Sequence, residues 1–210
     1  MRTRIKICGL TRPADVDAAV RAGADAIGLV FYPPSPRFVT LERAAELAAR
    51  VPPFVTVVGL FVNAERPFIE AACAAAQLQT LQFHGDETAQ QCRGYGRPYI
   101  KAARVKPGVD LVEFAARYAD ATGILLDAYT DAYGGSGHRF DWALIPEQLP
   151  LPLILSGGLN ADNVAEAVAR FRPWAVDVSS GVEIAKGIKD GARVAAFIAG
   201  VKDGETRSSV

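Results

Sequence analysis

The first strand-and-helix unit of the chain indicates its fold: RIKICGLTRPADVDAAVRAGADAIGLVF, residues 4–31. A short β-rich run, RIKIC, gives way to an alanine-rich segment that starts near Pro13 and closes at Gly23, before a second apolar run, ADAIGLVF. Proline is tolerated in the first turn of a helix, and glycine commonly ends one. A strand, a helix and a further strand predict parallel pairing through a right-handed crossover.

The same alternation continues along the chain without a linker-like break. Eight strand–helix units can be counted, with DETAQQCRG (86–94) and FDWALIPEQ (140–148) among the helical parts and with Thr40 and Asn160 as N-caps. Eight such units predict a single-domain α/β fold, the (β/α)8 TIM barrel, over residues 1–203. Residues 204–210 are expected to form a polar C-terminal tail. A doubly wound open sheet is the alternative fold.

Composition limits the classes of partner. Lysine plus arginine (23) balance aspartate plus glutamate (23), so no basic excess favours nucleic acid or an anionic membrane surface. No apolar stretch approaches the ~20 residues that a membrane helix needs, and the charged N-terminus lacks a signal-peptide core. Three scattered cysteines and two distant histidines argue against a structural zinc site or a disulfide framework. A cytoplasmic protein is expected.

Chemistry in such a barrel is expected at the C-terminal ends of the strands. Cys8 ends the first strand there, whereas Cys73 and Cys92 fall in predicted helical segments, where packing is the default role. Cys8 is therefore the cysteine placed for chemistry, although a small buried packing residue is the alternative. The polar residues at the other strand ends are Asn63, His84, Arg104, Asp127, Ser156 and Ser179.

Two glycine-rich strand ends predict a phosphate site. LILSGGL (153–159) and VDVSSGV (176–182) end the seventh and eighth predicted strands. Loops after these strands hold a phosphate group in many barrels, and glycine lets backbone N–H groups approach an anion. The predicted contacts are Gly157, Gly158, Ser180 and Gly181. Two tight turns are the alternative, and the spacing of a Walker loop is absent, so a small phosphorylated molecule is favoured over a nucleoside triphosphate.

Asp127 closes the apolar strand GILLDAY and is either a helix cap or a carboxyl group over a cleft, suited to a general acid. Because Cys8 ends the first strand, the interpretation of Asp127 and Cys8 as an acid–base pair is favoured. Lys6 shares a strand face with Cys8, and Asp177 lies on the eighth strand, which neighbours the first when a barrel closes. The sequence therefore predicts an internal ion pair between Lys6 and Asp177 that supports the site.

Three further features leave two readings each. Arg37 lies in the proline-rich loop YPPSPRF (32–38), where it is either a surface arginine or a guanidinium aimed at a substrate carboxylate. His84, in QFHG, either orients substrate or is a hydrogen-bonded structural histidine. The segment DAYGGSGHRFDW (131–142) is either a flap over the site or a turn-rich connection.

In this order the segments resemble the phosphoribosylanthranilate isomerase family. The resemblance spans residues 6–183, nearly the whole chain, and the combination is specific. It implies that Cys8 is the general base, Asp127 the general acid and Arg37 the contact of the anthranilate carboxylate, with phosphate held by residues 156–158 and 179–181. The segments that carry it are KICGL, GLVFYPPSPR, VVGLFVN, LQFHG, LLDAY, GGSGHRFDW, LILSGGLN and VDVSSGVE.

The resemblance implies an Amadori rearrangement of N-(5-phosphoribosyl)anthranilate to 1-(2-carboxyphenylamino)-1-deoxyribulose 5-phosphate. Because the substrate nitrogen is the electron sink, neither a metal nor an organic cofactor is expected. The partner is then a small phosphosugar–anthranilate molecule, with the chain a monomer or a homodimer, and Gly9 would leave room for the sugar.

Two other classes of function compete with this reading. A related phosphosugar barrel is one: indole-3-glycerol-phosphate synthase would use lysine and glutamate, and the histidine-pathway sugar isomerase would use paired aspartates, which makes Asp177 its point of entry. The other is a catalytically silent phosphate-binding barrel that acts as a sensor. Cys8 and Asp127 speak against the synthase and against the silent barrel, while Asp177 is a weak point of entry for the sugar isomerase. A turnover assay separates an enzyme from a silent barrel.

Overall fold

Eight parallel strands close into a barrel, as the alternation predicts. The computed structural model describes residues 2–128 and 141–207. The strands pair in sequence order, and β8 returns to pair with β1, so the open-sheet alternative is excluded. They are β1 (Arg4–Cys8), β2 (Ala26–Val30), β3 (Thr56–Phe61), β4 (Thr80–Phe83), β5 (Tyr99–Val105), β6 (Gly123–Ala128), β7 (Leu153–Leu155) and β8 (Ala175–Val178).

Six α-helices accompany the barrel in the described residues: α1 (Pro13–Ala22), α2 (Leu41–Ala48), α3 (Arg66–Ala76), α4 (Leu111–Arg117), α5 (Val164–Phe171) and α6 (Gly191–Arg207). The sequence predicted some of the residues at which these helices begin and end. Pro13 begins α1, Gly23 ends it with φ +99°, and the Thr40 side chain accepts a hydrogen bond from the Arg43 N–H at the start of α2. These three predictions are confirmed.

Two predicted helices are wrong. DETAQQCRG forms turns: the Gln91 side chain accepts from the Thr88 N–H, and the Thr88 side chain accepts from the Gln91 N–H. Glu87 accepts from the backbone N–H of Asn63 and of Gly85 and pairs with Lys101. FDWALIPEQ forms only a single 3₁₀ turn, Trp142–Leu144, within its described residues. Side-chain acceptors at these positions compete with the helical ladder, which the apolar period alone does not show.

Boundaries near the end of the chain also differ from the prediction. The helix predicted to begin at Asn160 begins at Val164, because Asn160 caps a preceding turn by accepting from the Asp162 N–H. The predicted polar tail is helical through Arg207, as part of α6. Gly204 is buried against α5, and Glu205 accepts a hydrogen bond from the Thr3 N–H. Residues 208–210 lie outside the described residues.

The connection after β8 contains a ribbon that the sequence did not predict. A 3₁₀ turn, Ser180–Val182, leads into β9 (Glu183–Ala185), which pairs antiparallel with β10 (Ile188–Lys189). Gly187, at φ +80°, makes the turn between the two short strands. The ribbon brings Glu183 and Lys189 back to the mouth of the barrel.

The largest apolar cluster joins the outer faces of the strands to the helices. Phe31 and Phe61 stack there with ring centroids 5.1 Å apart, and both are almost fully buried. Burying such a side chain contributes roughly 1.5–3 kcal/mol relative to leaving it exposed. The inner faces carry polar residues toward the C-terminal end, including Lys6 and Gln82. Within residues 2–128 and 141–207, none of the helices has the length and apolarity that crossing a bilayer requires.

Candidate active site

One cavity at the C-terminal ends of the strands brings together most of the predicted site residues. Its lining includes Cys8, Arg37, His84, Asp127, Gly157, Gly158, Asp177 and Ser180. Lys6 and Gly181 lie next to this lining rather than on it. Gln82, which the sequence analysis did not single out, is also on the wall.

Cys8 lies beside a buried ion pair. Parallel pairing of β1 with β8 sets Lys6 opposite Asp177, and the Lys6 Nζ lies 2.9 Å from the Asp177 Oδ1. Both side chains are about 6% exposed. Burial alone would lower the pKa of Lys6, but Asp177 and Cys8 together outweigh burial and hold that pKa above its usual value. The predicted ion pair is therefore present and keeps an ammonium group beneath the thiol.

The protonation of Cys8 reflects these neighbours. Burial raises the pKa of the Cys8 thiol, and Asp177 adds to the rise, while Lys6 and Lys189 oppose it without cancelling it. In the free enzyme at neutral pH the sulfur therefore carries its proton. A thiolate at this position depends on the positive charge beside it.

Asp127 is held by a backbone N–H and by the ring of His84. It stands near the end of β6, where the Ala128 N–H donates to Oδ1 at 2.9 Å, while the His84 Nε2 lies 3.1 Å from Oδ2. The carboxyl group is about 13% exposed at the cavity. His84 thus contacts the predicted acid directly, and its second ring nitrogen lies 3.0 Å from the Gln82 amide nitrogen.

Arg37 is buried and paired, contrary to the reading of a surface arginine. Its Nε and Nη2 donate to the two carboxylate oxygens of Glu183 at 2.8 and 2.7 Å. Lys189 donates to the same carboxylate at 2.7 Å. Burial alone would raise the pKa of Glu183, but Arg37 and Lys189 together lower it. Glu183 occupies one edge of the guanidinium, and Nη1 lies outside that contact.

The glycines of the site allow close backbone approaches. Gly157 and Gly158 have φ of +80° and +68°, which favour glycine in the turn after β7. A Cβ atom at Gly181 would lie 1.9 Å from the Leu159 carbonyl oxygen, so the loops after β7 and β8 touch only because this residue is glycine. At Gly9 a Cβ atom would lie 2.4 Å from the Arg37 Cδ. Gly9 therefore makes room for Arg37, and the room expected for a sugar stays a prediction.

Sequence reasoning missed Gln82, Glu183 and Lys189. A signal existed for Glu183, since a carboxylate stands two residues after the SSG sequence and a buried arginine needs a partner. Gln82 carried a weaker signal, as a polar residue inside the short strand TLQF. Lys189 carried none, because the ribbon that returns it to the site was not predicted.

Other predicted features fall outside the site. Cys73 is on α3, as expected, and Cys92 is buried in the turns after β4, so both suit packing. Residues 129–140, most of the possible flap, lie outside the described residues. Among residues 2–128 and 141–207, no group of three or more His, Cys, Asp or Glu side chains could hold a metal ion.

A closed eight-stranded barrel with a thiol and a carboxyl group in one terminal cavity defines a class, the (β/α)8-barrel enzymes. Residues 5–200 match the family model described as N-(5'-phosphoribosyl)anthranilate (PRA) isomerase. The chain is 64% identical to N-(5'-phosphoribosyl)anthranilate isomerase of Dechloromonas aromatica over 202 residues, 96% of this chain and 97% of that protein. The chain belongs to the N-(5'-phosphoribosyl)anthranilate isomerase family.

Solved structures agree with this assignment. The crystal structure of phosphoribosyl anthranilate isomerase from Thermotoga maritima is 45% identical, with a TM-score of 0.88, over 95% of this chain and 98% of that one. A phosphoribosyl anthranilate isomerase in complex with reduced 1-(o-carboxyphenylamino)-1-deoxyribulose 5-phosphate is 42% identical, with a TM-score of 0.85 and the same coverage.

Proposed function

We propose that this chain catalyses the Amadori rearrangement of N-(5-phosphoribosyl)anthranilate to 1-(2-carboxyphenylamino)-1-deoxyribulose 5-phosphate, a step of tryptophan biosynthesis. The observation that carries the proposal is the meeting of Cys8 and Asp127 in one cavity, in a chain of this family. The related structure with the reduced product analogue supports a ligand of this class.

Asp127 starts the reaction as the general acid. Its carboxyl group gives a proton to the furanose ring oxygen, the C1–O bond breaks, and the nitrogen lone pair forms a C1=N iminium ion. His84 and the Ala128 N–H hold the carboxyl group while the proton leaves. General acid catalysis of this kind contributes about 10²–10⁴-fold.

Cys8 completes the reaction as the general base. Its thiolate takes the proton from C2, and the C–H electron pair forms a C1=C2 bond while the iminium π electrons return to nitrogen. The resulting enolamine tautomerises to the ketone by losing the proton of its C2 hydroxyl and gaining one at C1. The substrate nitrogen donates its lone pair in ring opening and takes the electrons back when C2 loses its proton, so the chemistry calls on no external cofactor.

The active form holds one proton between two groups. The acid step needs that proton on Asp127, and the base step needs the sulfur without one. Burial raises the pKa of Cys8, so the thiolate is the minor form in the free enzyme. The ammonium group of Lys6 lowers this pKa and so favours the thiolate. We therefore assign Lys6, held by Asp177, the role of supporting the thiolate.

Substrate binding follows from the charges at the rim. The Arg37 guanidinium, held by Glu183, offers its remaining N–H groups to the anthranilate carboxylate. The phosphate group binds the backbone N–H groups around Gly157, Gly158, Ser180 and Gly181, where the two loops touch. Inorganic phosphate is then expected to compete with substrate at concentrations too low for a general effect of salt. An absence of competition at such concentrations would contradict this placement.

A direct test follows the loss of N-(5-phosphoribosyl)anthranilate fluorescence with purified protein and identifies the product by mass. Turnover is expected for the wild type and for Cys73→Ser, whose thiol lies away from the cavity. If no turnover is seen, the catalytically silent phosphate-binding barrel is the function that remains. The histidine-pathway alternative is disfavoured because Asp177, its second aspartate, is committed to Lys6.

Of the two expected assembly states, the homodimer is supported here, and the cytoplasmic location stays a prediction. A related structure is that of monomers generated from a dimeric phosphoribosylanthranilate isomerase of Thermotoga maritima, 38% identical with a TM-score of 0.84 over 95% of this chain.

In this chain Phe54 is fully exposed, with φ +72°, beside a cavity between α2 and α3. A second copy would cover it. Sedimentation should show a dimer that Phe54→Asp dissociates; a wild-type monomer would contradict this.

A further inference from the structure

A line of three side chains reaches Asp127 from the barrel wall. Gln82 lies on β4 with no exposed surface, and its amide nitrogen is 3.0 Å from the Nδ1 of His84. The other ring nitrogen of His84, Nε2, is 3.1 Å from the Asp127 Oδ2. The mechanism above uses His84 and Asp127 but gives Gln82 no role.

The direction of these hydrogen bonds follows from the chemistry of the amide. An amide nitrogen only donates, so the Nδ1 of His84 must accept, and the neutral ring then carries its proton on Nε2. That Nε2–H donates to Asp127. Turning the amide of Gln82 would present its oxygen to Nδ1, require the proton there, and leave a lone pair on Nε2 facing the carboxylate.

The amide oxygen of Gln82 supplies a second, independent observation. It is buried and has no hydrogen-bond partner in the part of the chain that the structure describes. A buried acceptor without a partner is costly, and turning the amide would satisfy it if His84 carried its proton on Nδ1. The amide instead keeps its nitrogen toward the ring, which is the orientation that requires the Nε2–H tautomer of His84.

We propose that Gln82 is a positioning residue for the isomerisation: it holds His84 in the Nε2–H tautomer, and His84 in turn orients the carboxyl group of Asp127. The proposal rests on the proposed function, because it takes Asp127 as the acid. With the Nε2–H on one carboxyl oxygen and the Ala128 N–H on the other, the group is fixed in one orientation. Gln82 itself acts only through His84.

The tautomer can be measured without any activity. The chain has two histidines, His84 and His138, so ¹⁵N-histidine labelling gives an interpretable NMR spectrum, and His138→Gln assigns it. The wild type should show a protonated Nε2 and an unprotonated Nδ1 at His84. Gln82→Glu, whose carboxylate only accepts, should place a proton on Nδ1, and Gln82→Met should give a mixture. A wild-type Nδ1–H tautomer, or no change in either variant, would overturn the proposal.

Kinetics should show the effect on the acid step. Gln82→Met and Gln82→Glu are expected to lower kcat by about 10- to 100-fold while KM stays within about twofold, since small misplacements of a catalytic group cost this much. Gln90→Glu, which adds the same charge at an exposed position, should match the wild type. Wild-type kcat in both Gln82 variants, or a rise in KM that matches the loss of kcat, would contradict positioning.

Two variants distinguish the role of Asp127 from the role of Gln82. If Asp127→Asn keeps full activity, the proposed acid is wrong, and the proposal for Gln82 falls with it whatever the tautomer. If Asp127→Asn is inactive but Gln82→Met is fully active, the acid stands and only the positioning role is overturned.

Discussion

The two reacting groups of the cavity are held in different ways. Cys8 lies among buried charges, with the ion pair of Lys6 and Asp177 beneath it. Asp127 is instead contacted through hydrogen bonds, by the ring of His84 and by a backbone N–H. Charges act over distance and set how tightly a group holds its proton, whereas hydrogen bonds fix direction. We infer that the thiol side is tuned for proton affinity and the carboxyl side for orientation.

The largest effect is expected on the carboxyl side. Asp127→Asn keeps the shape of the side chain but cannot donate the ring-opening proton, so kcat should fall by about 10²–10⁴-fold with the fold intact. Steady-state turnover and circular dichroism measure the two outcomes. Activity within a few-fold of the wild type would remove Asp127 from the acid role.

Cys8→Ser should remove most of the activity from the other side, because a hydroxyl group is a far weaker base than a thiolate at neutral pH. Cys92→Ser is the matched control, since Cys92 is also buried but packs outside the barrel. A fully active Cys8→Ser enzyme would return the thiol to a packing role and end the comparison between the two sides.

A smaller loss is expected at Arg37. Arg37→Ala should lower kcat/KM by about ten- to a hundred-fold, and Arg37→Lys should recover part of that loss. Because Arg37→Ala also leaves Glu183 buried with Lys189 alone, a phosphoribosylated aniline without the carboxylate is the control substrate. Wild type and variant should handle it almost equally. An equal loss with both substrates would show that Arg37 does not read the carboxylate.

The pH dependence of thiol alkylation should sharpen the contrast further. Burial raises the pKa of Cys8, so the folded enzyme without substrate should keep the thiol protonated at neutral pH. The thiolate should form only at a pH above the usual pKa range of a cysteine. The alkylation rate at Cys8, followed by mass spectrometry against pH, should therefore rise later than that of a free cysteine. A thiolate already formed at pH 7 would contradict this picture.

The barrel was predictable because its signals are local and repeated. Pro13, Gly23 and Thr40 mark helix ends through their own backbone chemistry. The errors arose where distant residues intervene. Glu87 satisfies backbone donors from two loops and pairs with Lys101 on β5, so the segment after β4 has no need of a helix. No periodicity within that segment reveals such partners.

The site was predictable where topology alone brings residues together. Closing the barrel sets Lys6 opposite Asp177, so their pairing follows from strand order and alternation. Glu183 and Gln82 could not be placed in the same way. One depends on a ribbon after β8, and the other matters only because its neighbour His84 contacts Asp127 on β6. Such contacts are set by three-dimensional packing, which a single sequence does not display.

The most direct test of the division between acid and base is a deuterium isotope effect at C2 of the substrate ribose. Ring opening by Asp127 precedes removal of the C2 proton by Cys8, so each variant should make a different step limiting. Cys8→Ser should show a large primary effect on kcat, because C–H cleavage then limits turnover. Asp127→Asn should show an effect close to one, because ring opening limits instead. Equal effects in the two variants, or the opposite order, would contradict the account.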